Sequence, residues 1–241
     1  MRAMIFAAGL GTRLKPFTDH HPKALAMVNG KSLLERNILY LQQHGIYEVI
    51  VNVHHFADQI IEAVAVNRGW GSSITISDET AVVLETGGGL MKARTFLENE
   101  NYFVVMNADI LTDMLLSSMI AVHVKNKPLA TLAVSDRQSS RCLLFDDNNK
   151  MVGWRNKNTG EQKGFLSNNN PATVKEKAFS GIHVISNTIF SKSSFDGKFS
   201  MIDLYLDLCG ANIIQSFDHT GSSFIDVGRP ESIVVAEKLF H

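Results

Sequence analysis

The segment Met4–Leu25, MIFAAGLGTRLKPFTDHHPKAL, runs an apolar stretch straight into Gly9, Gly11, Arg13 and Lys23. Such a mixture suits a polyanion. Glycine lets backbone N–H groups come close to phosphate oxygens. Arginine grips those oxygens through a planar fork, and lysine adds a compact charge on a flexible stem. Two familiar phosphate loops are absent. A dinucleotide fingerprint would need glycine where Leu14 stands and an acidic residue near Lys31, and a Walker loop would need a Gly-Lys-Ser/Thr run. Pro16 and Pro22 stiffen the turn that would aim Lys23.

Two acidic positions complement these cations. VVMNADILTD brings Asn107 and Asp109 to the end of an apolar strand, and SSFIDVGRPESI repeats the device with Asp226 ahead of Gly228 and Pro230. A lone carboxylate is costly to bury there, yet well placed for a metal. Magnesium takes one or two protein carboxylates and fills its shell with water and ligand phosphate oxygens. The alternative for each aspartate is a helix cap or turn residue, and Asp113 is read as the cap of a helix starting at Met114. LETGGGL, Leu84 to Leu90, sets three glycines at a helix start. That run is either flexible punctuation or bare backbone on which a flat base can lie. The pairs His20-His21 and His54-His55 have no third ligand at a zinc spacing.

Elements that could position these residues follow from periodicity. Apolar strands are predicted at Ala3–Ala7, Tyr47–Val53, Ser73–Ser77, Tyr102–Met106 and Leu129–Ser135. Between them, helices are predicted at Leu33–His44, Ala57–Val66, Gly87–Leu97 and Met114–Lys125, the first opened by a Ser32/Glu35 capping box. This alternation argues for a parallel sheet with helices on both faces. In such sheets ligands bind at the carboxyl ends of the strands. After Ser135 the texture changes: Cys142–Phe145 and Met151–Trp154 flank DDNNK as a hairpin, and Asn156 to Pro171 reads as a polar loop. A strand at Ala178–Ile185, a helix near Met201–Cys209, a strand near Asn212–Phe217 and a helix from about Pro230 complete the pattern. The expectation is one domain over residues 1–241, with a polar insertion at about 137–171.

The bulk numbers exclude some classes. Net charge is −1 over 241 residues, which gives no electrostatic case for nucleic acid. No run of about 18 apolar residues appears, so no membrane partner is expected. Two distant cysteines, Cys142 and Cys209, suit reduced thiols in a cytoplasmic protein.

AAGLGTRLKPFTDHHPKAL resembles the signature of the nucleotidyltransferase family that joins sugar 1-phosphates to nucleoside triphosphates. The family's pattern is an apolar strand, Ala-Ala-Gly-x-Gly-Thr-Arg-Leu-x-Pro, then Pro-Lys. The resemblance implies an α/β fold, Rossmann-like, with a mixed, mostly parallel sheet flanked by helices. It implies that Ala8, Gly9, Leu10, Gly11, Thr12 and Arg13 wrap the triphosphate, with Arg13 and Lys23 as the catalytic cations. Glu85, Thr86, Gly87 and Gly88 would hold the nucleobase, Asp109 and Asp226 a Mg2+ ion, and Asn107 the acceptor sugar. ETGGG resembles the version in small uridylyltransferases that use N-acetylmuramate 1-phosphate, whereas mannose 1-phosphate guanylyltransferases more often carry Gly-Thr-Ala-Gly.

Acceptor contacts are harder to carry over. FSGIHV resembles the strand that lines the sugar pocket, which points to Ser180 and Gly181. Family members often carry Glu-Lys-Pro, whose lysine meets the acceptor phosphate. Asn156-Lys157 stands at about that place, so Lys157 either takes the role or is a solvated loop lysine. Glu176-Lys177 lacks the proline and is not assigned the role, and Arg141 is read first as a surface residue. The activity implied is Mg2+-dependent transfer of a uridylyl group from UTP to N-acetylmuramate 1-phosphate in cell-wall recycling, with release of pyrophosphate. The alternatives are a mannose 1-phosphate guanylyltransferase using GTP and a non-catalytic nucleotide-sugar sensor. A sensor would be expected to lose the acidic or the basic pair. Oligomeric state is not legible in the sequence.

Overall fold

In the computed structural model the described residues are 1–164 and 174–241. The chain begins with β1 (Arg2–Phe6), followed by three single-turn 3-10 segments that carry Arg13, Phe17 and Lys23. A short hairpin of β2 (Met27–Val28) and β3 (Lys31–Ser32) leads into α1 (Leu33–Gln43). Ser32 caps that helix as expected, its hydroxyl accepting from the Glu35 N–H at 3.1 Å. Then come β4 (Glu48–Val53), α2 (Ala57–Val66), β5 (Ser73–Asp78), α3 (Glu85–Lys92), α4 (Arg94–Leu97), β6 (Tyr102–Asn107) and β7 (Ile110–Thr112). The helix expected at Gly87–Leu97 therefore starts earlier, at Glu85, and breaks at Ala93.

Beyond β7 lie α5 (Leu116–Asn126), β8 (Ala130–Ser135), β9 (Arg141–Phe145), β10 (Met151–Asn156) and β11 (Gln162–Gly164). The chain closes with β12 (Lys175–Ser186), α6 (Ile189–Lys192), α7 (Met201–Leu208), β13 (Ile214–Asp218), β14 (Phe224–Asp226) and α8 (Pro230–Leu239). Asp113 does not cap α5. The helix starts at Leu116, and the Asp113 carboxylate instead accepts from the N–H and hydroxyl of Ser223 at 2.8 and 2.7 Å.

The central sheet runs β5-β4-β1-β6-β12-β8-β13, and β12 alone is reversed: its pairings with β6 and β8 are antiparallel, while β4–β5, β1–β4, β1–β6 and β8–β13 are parallel. Period-2 alternation splits the apolar residues between the two faces. Ala3, Ile5, Val104 and Met106 pack toward α1 and α2, whereas Met4, Phe6, Phe103 and Val105 pack toward α3 and α7. Both faces are covered, which is why these strands read as continuous apolar runs.

β12 serves two sheets. Its second half pairs β6 and β8, while Lys175–Lys177 continue past a register break to pair β9. β9, β10 and β11 then extend an antiparallel wall, with Asp146 Oδ1 accepting from Asn148 and Lys150 N–H groups in the expected DDNNK turn. The expected polar loop at Asn156 to Pro171 thus contains β11, and its residues 165–171 lie outside the described part of the chain. Among the described residues no helix is long and apolar enough to cross a membrane.

Candidate active site

β1 and β6 are parallel neighbours, and both end at the same edge of the sheet. Gly9–Arg13 leave β1 there, and Asn107–Asp109 leave β6 there. Ala108 N–H donates to Phe6 O at 3.1 Å, which ties the two exits together. Asp226 arrives from more than a hundred residues downstream. β14 pairs with β7 so that Asp226 faces Ile110, the residue after Asp109, and Val227 N–H donates to Asp109 O at 2.9 Å. This register places the two carboxylates side by side.

Lys23 sits between them. Its ammonium makes a close ion pair with Asp109 and lies 3.9 Å from Asp226 Oδ1, and Arg13 Nη2 lies 3.7 Å from Asp226 Oδ2. Burial, then the Asp109 charge, push the Asp226 carboxyl above its usual range, with Lys23, Arg13 and Arg137 opposing. Asp109 Oδ1 and Asp226 Oδ1 are buried without a hydrogen-bond partner. Two orphaned hard oxygens, with an ammonium already holding positive charge between them, form a donor set suited to a divalent ion. Among the described residues no group of three or more His, Cys, Asp or Glu side chains could hold a metal, so water and ligand oxygens would complete the shell.

Two neighbouring cavities open at this edge. One, of about 290 Å³, is lined by Gly9, Gly11, Thr12, Arg13, Lys23, Asn107, Asp109 and Gly228 among others. The second, of about 470 Å³, is lined by Ala8 to Thr12, Asn52, Val83, Glu85, Thr86 and Lys198 with Phe6 at its back. Gly11 has φ of +62°, and a Cβ there would meet Lys23 Cβ and Thr18 Cγ2 at 2.9 Å. Only glycine keeps that turn closed over the lysine. Gly228, named in the sequence beside Asp226 but given no role there, acquires one from the fold. A Cβ at that position would lie 2.7 Å from Asp226 Oδ1 and 2.9 Å from Arg13 Nη2, so its bareness lets the pair meet.

The glycine run works differently from the expectation. Gly87 and Gly88 line neither cavity. Their N–H groups donate to Phe199 O at 2.9 and 3.2 Å, and a Cβ on them would strike the Phe199 ring or Gly197 O. These glycines let α3 press against the 197–199 segment, and their amides have no capacity left to read a base edge. Glu85 and Thr86 do border the larger cavity. Glu85 holds φ of +59°, a costly conformation for a residue with a side chain, and its carboxylate lies 3.7 Å from Lys198.

The acceptor expectations divide. Asn107 lines the smaller cavity, and Gly181, at φ of +71°, lies so close that a Cβ would sit 2.7 Å from Asn107 Nδ2. Ser180 is fully buried and its hydroxyl is 2.7 Å from His219 Nε2, so its side chain is engaged within the wall and lines neither cavity. Lys157 pairs with Glu176 at 2.8 Å and borders neither cavity. Arg137, to which the sequence assigns no role, lies in the field of Asp226. Its guanidinium stacks 5.0 Å from the centroid of Phe224, two residues before Asp226 on the same face of β14, and donates to Phe179 O at 2.7 Å. Burial lowers its pKa, with the field of Asp226 opposing, and among the described residues no carboxylate lies within 4 Å of it. Nothing in the local sequence DRQSS marks it.

Comparison with known proteins identifies the family. The family model described as nucleotidyl transferase matches residues 2–142. N-acetylmuramate alpha-1-phosphate uridylyltransferase of Caulobacter vibrioides is 29% identical over 242 residues, covering 98% of this chain and 95% of that protein. D-glycero-alpha-D-manno-heptose 1-phosphate guanylyltransferase of Campylobacter jejuni is 30% identical, covering 96% of each. A crystal structure of HddC from Yersinia pseudotuberculosis complexed with GMP-PN superposes with a TM-score of 0.79 at 24% identity, covering 100% of this chain and 99% of that one, a likeness of fold. The chain belongs to the nucleotidyl transferase family, as a sugar 1-phosphate nucleotidyltransferase.

Proposed function

We propose that the protein transfers a uridylyl group from UTP to N-acetylmuramate 1-phosphate, with Asp109 and Asp226 holding a magnesium ion. The observation that carries the catalytic part is the convergence of both aspartates on Lys23, each with an unpartnered oxygen. UTP and the muramate acceptor are supported by ETGGG and by the Caulobacter relative. A Neisseria meningitidis protein of the same name adds to this, at 40% identity over 114 residues, 47% of this chain and 49% of that one.

An oxygen of the acceptor phosphate attacks the α-phosphorus of the nucleoside triphosphate in line. The new P–O bond forms as the bond to the β-phosphate oxygen breaks, and pyrophosphate departs with that electron pair. The attacking oxygen is already anionic, so no general base is required. The obstacle is repulsion between two anions. Gly9 to Arg13 present backbone and guanidinium to the phosphates, and Lys23 places its ammonium beside the reacting region. A bound magnesium ion would add Lewis-acid charge on the phosphate oxygens. Asn107 orients the acceptor. Arg137, a guanidinium without a carboxylate partner, meets an anionic group on the acceptor, whether its phosphate or the lactyl carboxylate.

The Campylobacter relative, covering nearly the whole chain at similar identity, favours a second reading, a guanylyltransferase acting on a heptose 1-phosphate or mannose 1-phosphate. A grid of UTP, GTP, CTP and ATP against N-acetylmuramate, heptose, mannose and glucose 1-phosphates, scored by pyrophosphate release with and without Mg2+, separates them. UTP with the muramate acceptor should give the highest kcat/KM. Greatest turnover with GTP, or none with any pair, overturns the proposal.

A further inference from the structure

We propose that Asn52 and Glu79 form a buried positioning pair that sets the phosphate-binding loop from behind, a role that rests on that loop holding the triphosphate. β1 ends at Phe6, where its last register partner on β4 is Asn52. The next two N–H groups, those of Ala7 and Ala8, lie beyond that last register pair. Asn52 Oδ1 accepts both, at 2.7 and 3.3 Å. Asn52 Nδ2 in turn donates to Glu79 Oε1 at 2.7 Å. The amide is thereby locked in one sense. Flipping it would set NH2 against two donors and oxygen against a carboxyl oxygen.

Glu79 is fully buried, and among the described residues no cation lies within 4 Å of its carboxyl group. Its Oε2 has no partner. Burial raises its pKa, opposed by Asn52, by the field of Lys92 on α3, by the Leu84 N–H and by the field of His54 after β4. The backbone of Glu79 is fixed at both ends: its N–H donates to Val53 O at 2.8 Å, and its carbonyl lies 2.7 Å from His54 Nδ1. A carboxyl group in this place costs stability unless it orders something. The third glycine of LETGGGL belongs to the same device, since a Cβ on Gly89 would lie 2.7 Å from Glu79 Oε1 and 3.0 Å from Asn52 Nδ2. The chain from Glu79 through Asn52 thus reaches the two residues from which Gly9 and Gly11 depart. Asn52 also lines the larger cavity, whereas Glu79 does not.

The test uses the full-length enzyme, with the nucleoside triphosphate varied at saturating acceptor. Asn52→Asp keeps an oxygen for Ala7 and Ala8 but turns a second oxygen on Glu79. The donor KM should rise about tenfold, with the acceptor KM within about twofold. Adding Glu79→Gln supplies an N–H to that oxygen and should return the donor KM to within about threefold of the parent. An unchanged donor KM in Asn52→Asp, or a double variant no better than Asn52→Asp, overturns the pair. Should Asn52→Asp not fold, hydrogen exchange in Glu79→Ala decides. Faster exchange confined to the β1–loop junction supports the pair, and uniform change across the sheet overturns it. An unsubstituted enzyme that turns over no nucleotide would sink the proposed function instead, and hydrogen exchange would then judge the pair alone.

Discussion

The proposed donor side of the crevice and the proposed acceptor wall are built from the same residue types with opposite outcomes. On the donor side, Arg13 and Lys23 converge on Asp109 and Asp226, and the two acids keep unpartnered oxygens turned inward. On the wall, Lys157 and Arg155 are both taken by Glu176, and Lys177 is held by Asp136 and Asp218 at 2.7 and 2.5 Å. A cation whose field is already cancelled by a neighbouring carboxylate has little left for a substrate. Lys157 ties the end of β10 to β12, Lys177 ties β12 to β13 and to the residue after β8, and Arg137 is left in the field of Asp226.

Breaking the donor side should give the largest effect. Asp109→Asn or Asp226→Asn should lower kcat by about 10²–10³ in a magnesium-controlled assay while circular dichroism stays native. Equal turnover would remove both from the chemistry. On the wall, Arg137→Ala should raise the acceptor KM about tenfold with the donor KM steady, whereas Lys157→Ala should move either by less than about twofold. The reverse ranking would restore the acceptor role to Lys157.

A third contrast concerns the strand joining both regions. His183 on β12 is fully buried with Nδ1 2.7 Å from the Tyr205 hydroxyl, and burial holds its pKa down to about 3. The unfolded imidazole takes a proton near pH 6.5, so the unfolded state binds more protons between those values and stability falls as pH drops through them. Urea midpoints should decline from about pH 6.5 downward, more shallowly in His183→Gln. Identical slopes would clear His183 of this role. The smallest effect expected is at the helix outside both regions: Ser32→Ala should cost about 1 kcal/mol by the loss of one cap, measured in the same titration.

Legibility followed sequence distance. Strands β1, β4, β6 and β8 and helices α1 and α2 were readable because their burial on one or two faces writes a period into the residues themselves. The glycine turn closed over Lys23 was readable because Gly9 to Lys23 are near neighbours whose geometry is local. The reading of Gly87 and Gly88 failed for a physical reason. A glycine needed for a ligand and one needed for a facing backbone look alike, and only the position of Phe199 tells them apart. Ser180 failed likewise, because its burial depends on His219 from a distant strand.

By itself, then, the sequence determined the alternation of elements, the glycine-rich loop after β1 and the identities of the cationic and acidic pairs, all carried by local spacing or periodic burial. The tertiary structure decided that Asp226 stands beside Asp109, which requires the β7–β14 register. It decided too that Lys157 and Lys177 are neutralised while Arg137 is not, and that Asn52 faces Glu79. Each of these is a contact between residues dozens of positions apart, and its energy depends on distance and desolvation that no spacing along the chain encodes.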